Sequence, residues 1–147
     1  MSYFRATDPF PLQSPDQNKL HAFYDRLAEG RLTTTACAGC GRTAWPPRGF
    51  CGECASDEFT WVDLPREGTI HACTIQETGV PAPYASPLVC AIVKVGDARV
   101  FAPIVGAAAT SVTVGAAVRL SPLKVADDVK GSPRHVVAFE PVAGSPA

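Results

Sequence analysis

Four cysteines in two matched pairs constrain this chain more than any other feature of its sequence. Two residues separate Cys37 from Cys40 and Cys51 from Cys54, and ten residues separate the two pairs. Two thiolates in a C-x2-C turn can reach one metal ion, so two such turns complete a tetrahedral set of four ligands. The spacing therefore predicts one structural zinc ion bound by all four cysteines.

The predicted site is closed, because four thiolates leave no coordination position for a substrate or a water molecule. We expect the zinc to hold a small module together, since structural zinc binding is worth about 10–16 kcal/mol in zinc-finger peptides. Glycines at positions 39, 41 and 52 are expected to permit left-handed backbone and close approach of amides to sulfur. An iron ion on the same four sulfurs and a pair of disulfides are the alternatives.

The rest of the composition favours a small β protein. The chain has 147 residues with 14 prolines and 12 glycines, which indicates many turns and short elements. Its formal net charge of −1 argues against a protein that binds nucleic acid through phosphate contacts, because such proteins carry a basic excess. No secretion signal or membrane-spanning run is visible, so a cytoplasmic location is expected. In that compartment the two remaining cysteines, Cys73 and Cys90, are expected to be buried, inert thiols, with a nucleophilic role as the alternative.

One helix is predicted near the start of the chain, after an extended arm over residues 1–13. Ser14 is a candidate N-cap, Pro15 stands at the first helical position, and Gln17 completes a capping box. Gly30 is the expected stop. Between them an apolar stripe recurs at helical spacing, formed by Leu20, Phe23, Tyr24 and Leu27.

A five-stranded barrel is predicted after the cysteine module. Strands are expected at residues 69–76, 88–95, 98–105, 116–123 and 134–140, with a two-residue hairpin turn at Gly96 and Asp97. Five strands in about 75 residues, without alternating helices, indicate an OB-type barrel. The predicted units are the arm and helix (1–30), the zinc ribbon (31–63), the barrel (64–142) and a flexible tail (143–147).

Four residues outside the cysteine module are candidates for ligand or partner contact. Phe23 and Tyr24 either pack on their own domain or dock on a partner. Arg48, which follows Trp45-Pro46-Pro47, either offsets the charge of the zinc site or meets a phosphate or a partner carboxylate. Tyr84 lies in a proline-rich loop over residues 77–87 that is longer than a usual hairpin connection, and long loops are often functional.

The sequence offers no catalytic constellation. It contains no G-x-S-x-G elbow, no phosphate-binding glycine loop and no H-E-x-x-H, and its three histidines have no metal-type spacing. No residue is therefore assigned a catalytic role, and a stand-alone enzyme is disfavoured.

The order of motifs over residues 10–142 resembles a known family. A capped helix is followed by a C-x2-C-G turn, W-P-P-R at residues 45–48 and a second C-x2-C. Phe59-Thr60-Trp61, Glu67-Gly68-Thr69 and the F-E-P of residues 139–141 come after them. This order resembles the rubredoxin-like zinc-ribbon/OB-fold proteins that accompany thiolase-fold enzymes.

The resemblance implies an accessory role. Members of that family are generally non-catalytic subunits or fused domains of complexes acting on acyl-CoA, namely thiolases, thiolase-like retro-aldolases and C-acyltransferases. It implies that this chain binds a thiolase-fold catalytic subunit and helps to close its acyl-CoA site, with acyl-CoA at the shared interface. The four cysteines match the family's zinc ligands. A single-stranded nucleic-acid-binding protein and a rubredoxin-like iron electron carrier are the alternative functions.

Overall fold

The structure, a computed structural model, describes residues 8–81 and 84–143. Most of the predicted tail (144–147), the first seven residues of the predicted arm and residues 82–83 of the long loop lie outside these ranges. Within them the chain forms one α-helix, α1 (His21–Ala28). The strands are β1 (Thr33–Cys37), β2 (Thr43–Ala44), β3 (Phe59–Asp63), β4 (Glu67–Gln76), β5 (Leu88–Val95), β6 (Ala98–Ile104), β7 (Ala117–Leu120), β8 (Leu123–Val125), β9 (Arg134–Val136) and β10 (Phe139–Pro141).

The strands form three groups that confirm the predicted fold class. β2, β1 and β3 form a three-stranded antiparallel sheet that carries the cysteine turns. β10, β6, β5, β4 and β7 close into a five-stranded barrel, and β8 pairs with β9 in a separate ribbon. The protein is therefore mainly β, with an N-terminal helix, a zinc-ribbon region and an OB-like barrel, as the sequence predicts.

The helix begins later than its capping signals predict. The Ser14 hydroxyl donates to the side-chain carbonyl of Gln17, and the Ser14 main-chain carbonyl accepts from the Gln17 amide, which makes a separate turn. Asn18 then separates this turn from the helix. Its side chain accepts a hydrogen bond from the Leu20 amide and donates one to the carbonyl of Leu12. The prediction of a helix starting after Ser14 is therefore wrong, and α1 starts at His21.

The end of the helix is as predicted. Gly30 has a φ of 82°, and its amide donates to the carbonyl of Leu27 while the Arg31 amide donates to that of Arg26. This pair of bonds is the Schellman arrangement that a left-handed glycine permits. Phe23 and Leu27 are buried on the inner face of the helix.

Three predicted barrel strands agree with the structure, and the last two divide. β4, β5 and β6 coincide with their predictions to within two residues, and Gly96 takes a left-handed φ of 56° in the hairpin turn. Residues 116–123 separate into β7 and β8, because Pro122 between them has no amide to donate to a ladder. Residues 134–140 likewise separate into β9, which pairs with β8, and β10, which closes the barrel.

One apolar core joins the helix, the ribbon and the barrel. The barrel interior contains fully buried valines from neighbouring strands, among them Val93, Val95, Val100 and Val118. Leu27 from α1 and Leu32, which precedes β1, belong to the same buried cluster. The helix and the ribbon are therefore packed onto the barrel as parts of one core.

Polar contacts secure the arm before the helix. The Gln13 side-chain amide donates to the carbonyl of His135 at 2.7 Å and accepts from its amide at 3.0 Å. Arg134 is almost fully buried and binds Asp8 at 2.8 Å. These contacts fix the described part of the arm against the β8–β9 ribbon.

Among the described residues, α1 is far too short to cross a membrane, and no other helix has the length and apolarity to do so.

Candidate metal centre

Two turns of the same design bring the four cysteines together. The Gly41 amide donates to the Cys37 carbonyl at 2.9 Å, and the Ala55 amide donates to the Cys51 carbonyl at 3.0 Å. The residue that follows the second cysteine of each turn has left-handed backbone, with φ of 76° at Gly41 and 60° at Ala55. Each turn thus reverses the chain within five residues.

The prediction of left-handed backbone at three glycines is correct only at Gly41, whereas the predicted close approach of an amide to sulfur is found at Gly39. Gly39 and Gly52 do not adopt left-handed backbone, and Ala55 takes that conformation in the second turn. Gly39 instead allows the two cysteine turns to lie close together, since a Cβ atom there would lie 3.4 Å from the Cys54 sulfur. Its amide donates to the Cys37 sulfur at 3.3 Å.

The four sulfurs form one compact set. Cys37 and Cys54 are 3.5 Å apart at their sulfur atoms, Cys40 and Cys51 are 3.6 Å apart, and all four sulfurs lie within 4.8 Å of one another. A zinc ion with Zn–S bonds of about 2.3 Å requires S–S distances of about 3.8 Å. The donor set therefore has the chemistry and the size of a zinc tetrathiolate, and the prediction of one zinc is confirmed.

The backbone prepares some of these thiols for metal binding. The amides of Cys54 and Glu53 lower the pKa of Cys51 to about 6, because they donate hydrogen bonds to its thiolate. The Cys40 amide lowers the pKa of Cys37 in the same way. The Ser56 amide acts to lower the pKa of Cys54, but the Cys37 sulfur, burial and the other two sulfurs together outweigh it and raise that pKa to about 11. A bound divalent cation favours the thiolate form of all four cysteines, so the neighbouring sulfurs no longer oppose one another's deprotonation.

Two arginines lie beside the metal site and have different partners. Arg42 forms an exposed ion pair with Glu53 at 3.0 Å between the two turns. Arg48 lies next to Gly52, and its backbone amide donates to the Thr35 hydroxyl at 2.9 Å. Both arginines line a shallow cavity of about 260 Å³ that also exposes Phe50. The guanidinium of Arg48 therefore lies beside the second cysteine turn.

The structure brings the other three predicted contact residues together. Phe23, Tyr24 and Tyr84 line one groove of about 380 Å³ between α1, the Trp45–Pro47 segment and the barrel. The rings of Phe23 and Trp45 are 6.0 Å apart in an edge-on arrangement. Phe23 is buried in the chain's own core, whereas Tyr24 and Tyr84 are half-buried. We call this site the aromatic groove.

The aromatic groove also contains a residue that is not among the four predicted contact residues. Phe101 on β6 lines it and is 70% exposed. Its neighbours Val100 and Ala102 are buried in the barrel, so strand alternation places Phe101 on the outer face. The alternation was visible in the sequence and could have identified this ring as an exposed aromatic.

The prediction of two buried thiols is wrong for Cys73. Cys73 is exposed on the part of β4 that extends beyond the barrel, and Cys90 on β5 is half-buried. Burial raises the pKa of Cys90, which keeps that thiol protonated. Among the described residues, the four zinc-site cysteines are the only group of three or more side chains arranged to bind a metal.

Family comparisons match the two halves of this architecture. Residues 25–60 match the model of the ChsH2 rubredoxin-like zinc ribbon domain, and residues 61–121 match that of the ChsH2 C-terminal OB-fold domain. The matched residues thus run without a gap from the helix to β7. None of the curated protein sequences compared with the chain matches it.

Two solved structures share the fold. An Ltp2-ChsH2(DUF35) aldolase contains a chain that superposes with a TM-score of 0.69 at 23% identity, covering 87% of this chain and 98% of that one. A protein of unknown function from the DUF35 family of Sulfolobus solfataricus superposes with a TM-score of 0.51 at 19% identity, covering 82% and 83%. At these identities the likeness establishes the fold.

Proposed function

Because the chain belongs to the ChsH2 family of rubredoxin-like zinc-ribbon and OB-fold proteins, we propose that it is an accessory subunit of a thiolase-fold enzyme complex acting on acyl-CoA. It binds the catalytic subunit, helps to close the acyl-CoA site of that subunit, and supplies no catalytic group itself. The reaction is thiolytic or retro-aldol cleavage of a C–C bond, or transfer of an acyl group to carbon.

The closed four-sulfur site is the observation that carries the proposal. A zinc ion with four thiolate ligands has no open position, so it does not activate water or polarise a carbonyl group. Within the described residues no second cluster of metal-type ligands exists. The one strong site of the chain is thus suited to building a fold and not to chemistry.

A structural relative supports the identity of the partner. The similar chain of the Ltp2-ChsH2(DUF35) aldolase is part of an assembly with a second named component. By analogy, this chain works with a separate catalytic subunit, and the resemblance of its motifs to thiolase-associated proteins makes that subunit a thiolase-fold protein. A cytoplasmic location is consistent with the same role, because the cytoplasm is one of the compartments that contain acyl-CoA.

The predicted contact residues have distinct places in this proposal. Arg48 lies at the metal site, where a guanidinium can bind a phosphate or a carboxylate of the shared interface. Tyr24 and Tyr84 line the aromatic groove on the other side of the Trp45–Pro47 segment. Phe23 supports the groove from within the core.

Co-expression tests the proposal directly. The chain is produced together with the thiolase-fold protein whose gene adjoins its own, and the complex is purified by a tag on this chain alone. We expect a stable complex whose acyl-CoA activity falls when this chain is omitted. A catalytic subunit that purifies alone with full activity would refute the proposal.

The alternative functions give different results in simple assays. An iron electron carrier would be coloured, whereas a zinc protein is colourless and contains one zinc per chain. A nucleic-acid-binding protein would bind a single-stranded oligonucleotide in a salt-dependent manner. The net charge of −1 argues against the second alternative.

A further inference from the structure

The outer half of β4 is open on one edge. β4 pairs with β5 from Thr69 to Gln76 but with β7 only over residues 67–69, and Ile70 exchanges its backbone bonds with Gly115 and Ala116. From His71 onward, no strand in the described part of the chain pairs with the edge opposite β5. Every second residue of this stretch directs its backbone amide and carbonyl groups towards that edge.

Apart from a register shift between Ile70 and Ala72 at its start, this edge lacks the features that normally protect a strand from pairing with another chain. Natural proteins block such edges with charged side chains, prolines or short strands. Residues 71–76 read HACTIQ and contain no Lys, Arg, Asp, Glu or Pro. An unprotected, β-prone edge of six residues is suited to the addition of a strand from a partner.

Both faces of the same stretch are also open. Five consecutive residues are exposed, which means that neither face of the strand is covered: His71, Ala72, Cys73, Thr74 and Ile75. Ile75 alone exposes 48% of its surface. In β5, by contrast, Val89 and Ala91 are buried, so the opening is specific to β4.

The outer face of β4 continues into an apolar wall. Ala72 lies opposite Ile92 on β5, which lies opposite Phe101 on β6. Directly opposite residues of antiparallel strands point to the same face, so these three side chains form one row. Phe101 and Pro103, in the next row, also line the aromatic groove. We call the edge of residues 71–76 together with Ile92 and Phe101 the open hairpin surface.

We propose that the open hairpin surface is where the catalytic subunit docks, adding an extended segment to the edge of β4 and covering the wall up to Phe101. This inference rests on the proposed function for the identity of the partner. A second copy of the chain could pair its own β4 with this edge in antiparallel fashion and so satisfy the backbone hydrogen bonds. It would leave the wall exposed. Phe101 lies two strands from the edge, about 10 Å away at the usual spacing, so covering both requires a folded subunit.

Charge at the border of the surface indicates the chemistry of the partner. Lys94 and Arg99 lie directly opposite each other on β5 and β6, one row beyond Ile92 and Phe101. Like charges in this position repel each other across the ladder. We expect the docked subunit to present an apolar surface to the wall and a carboxylate to this basic pair.

The test uses the purified chain and the thiolase-fold protein that forms a complex with it in the co-expression experiment. Ile75→Lys places a charge on the edge, and Phe101→Glu places one on the wall. Val129→Lys is the matched control, because Val129 is 91% exposed in the loop between β8 and β9. We expect the first two substitutions to weaken binding at least about 30-fold and the control to leave it unchanged. Zinc content and thermal unfolding of each variant show that the fold is retained.

Hydrogen exchange separates strand addition from simple side-chain contact. In the complex the edge-facing amides of residues 71–76 are expected to exchange at least about tenfold more slowly than in the free chain, because they bond to the added segment. Binding that survives both substitutions, with unchanged exchange at these amides, would overturn the docking site and leave the proposed function standing. Failure of the unsubstituted chain to bind would overturn both. A dimer of the free chain that Ile75→Lys dissociates would show that a second copy occupies the edge instead.

Discussion

The sulfur of Cys37 lies 3.5 Å from the sulfur of Cys54, although 17 positions separate the two residues in the chain. Cys37 ends β1, and Cys54 belongs to the second turn, which has no strand of its own. The contact therefore closes a long loop with few apolar residues inside it. A metal ion at this point supplies cohesion that the small three-stranded sheet lacks.

Removal of one zinc ligand should empty the site and loosen the ribbon. We expect Cys51→Ser to lower the zinc content from one ion per chain to less than about 0.1, because three thiolates do not complete the closed tetrahedral set. Amide exchange in β1 and β3 should accelerate at the same time. Metal analysis and hydrogen exchange measure both effects, and Cys73→Ser, an exposed cysteine outside the site, is the control. A Cys51→Ser protein that keeps its zinc would contradict the assignment.

Two phenylalanines of the aromatic groove should differ sharply in their contribution to stability. Phe23 is 6% exposed and packs against Trp45, whereas Phe101 is 70% exposed. We expect Phe23→Ala to lower the free energy of unfolding by about 3–5 kcal/mol and Phe101→Ala to change it by less than about 0.5 kcal/mol. Denaturant titration measures both values. Similar costs for the two substitutions would show that the groove is buried in the free chain.

Gly68 should be intolerant of any side chain. Its φ is not left-handed, but a Cβ atom there would lie 2.5 Å from the carbonyl oxygen of Lys94 and 2.8 Å from Val93. We expect Gly68→Ala to lower the free energy of unfolding by about 1–3 kcal/mol, since the barrel wall must move to admit a methyl group. Gly49→Ala is the control, because the nearest atom to its added methyl belongs to the flexible side chain of Lys19. Equal stability of the two variants would mean that β4 and β5 separate easily.

The fold was largely predictable because its strongest signals are local. The cysteine spacing identifies the metal site, since each C-x2-C pair is formed by one turn. The hairpin of β5 and β6 follows from two runs of β-branched and apolar residues around Gly96 and Asp97. Such features depend on residues that are near one another in the chain.

The two main errors have different causes, one in competing local hydrogen bonds and one in the pairing of distant strands. The capping signals at Ser14 are real but are used in a separate turn, because Asn18 binds the backbone on both sides of itself. Cys73 has the sequence environment of a buried strand residue, yet β4 extends past the point where β7 ends. No local pattern reveals how far two strands of a barrel overlap.

The candidate site was predictable only in part for the same reason. The four zinc ligands were identified completely, whereas the aromatic groove combines residues from the helix, the ribbon, the long loop and β6. Phe23 and Tyr24 were selected together on the helix and Tyr84 separately in the loop, and their common location needs the tertiary structure. The open edge of β4 was missed because its exposure depends on which strands are absent beside it in the described part of the chain, whereas the exposure of Phe101 follows from strand alternation.

Arg134 and Asp8 should make the anchoring of the arm dependent on pH. The Arg134 side chain is 2% exposed and donates to the carbonyls of Ala126 and Asp127, while Asp8 is its partner of opposite charge. The hydrogen bond from Arg134, together with the Phe10 amide, holds the pKa of Asp8 below its ordinary value of 3.8. The folded state therefore favours the carboxylate, and this contribution to stability is complete above the unfolded pKa. It is lost as the pH falls through the lower folded pKa.

Asp8→Asn should consequently destabilise the protein at neutral pH and have no effect in acid. We expect the variant to melt a few degrees below the unsubstituted chain at pH 6, and the difference to close as the pH falls below about 3.8. Thermal scans at matched pH measure the difference, and a carboxyl-carbon titration by NMR gives the pKa of Asp8 itself. Asp57→Asn is the control, because Asp57 forms no ion pair with any described residue. Asparagine keeps the shape of the aspartate side chain and loses only its titration. A melting-temperature difference that stays constant at all pH values would therefore show that Asp8 contributes through hydrogen-bond geometry and not through its charge.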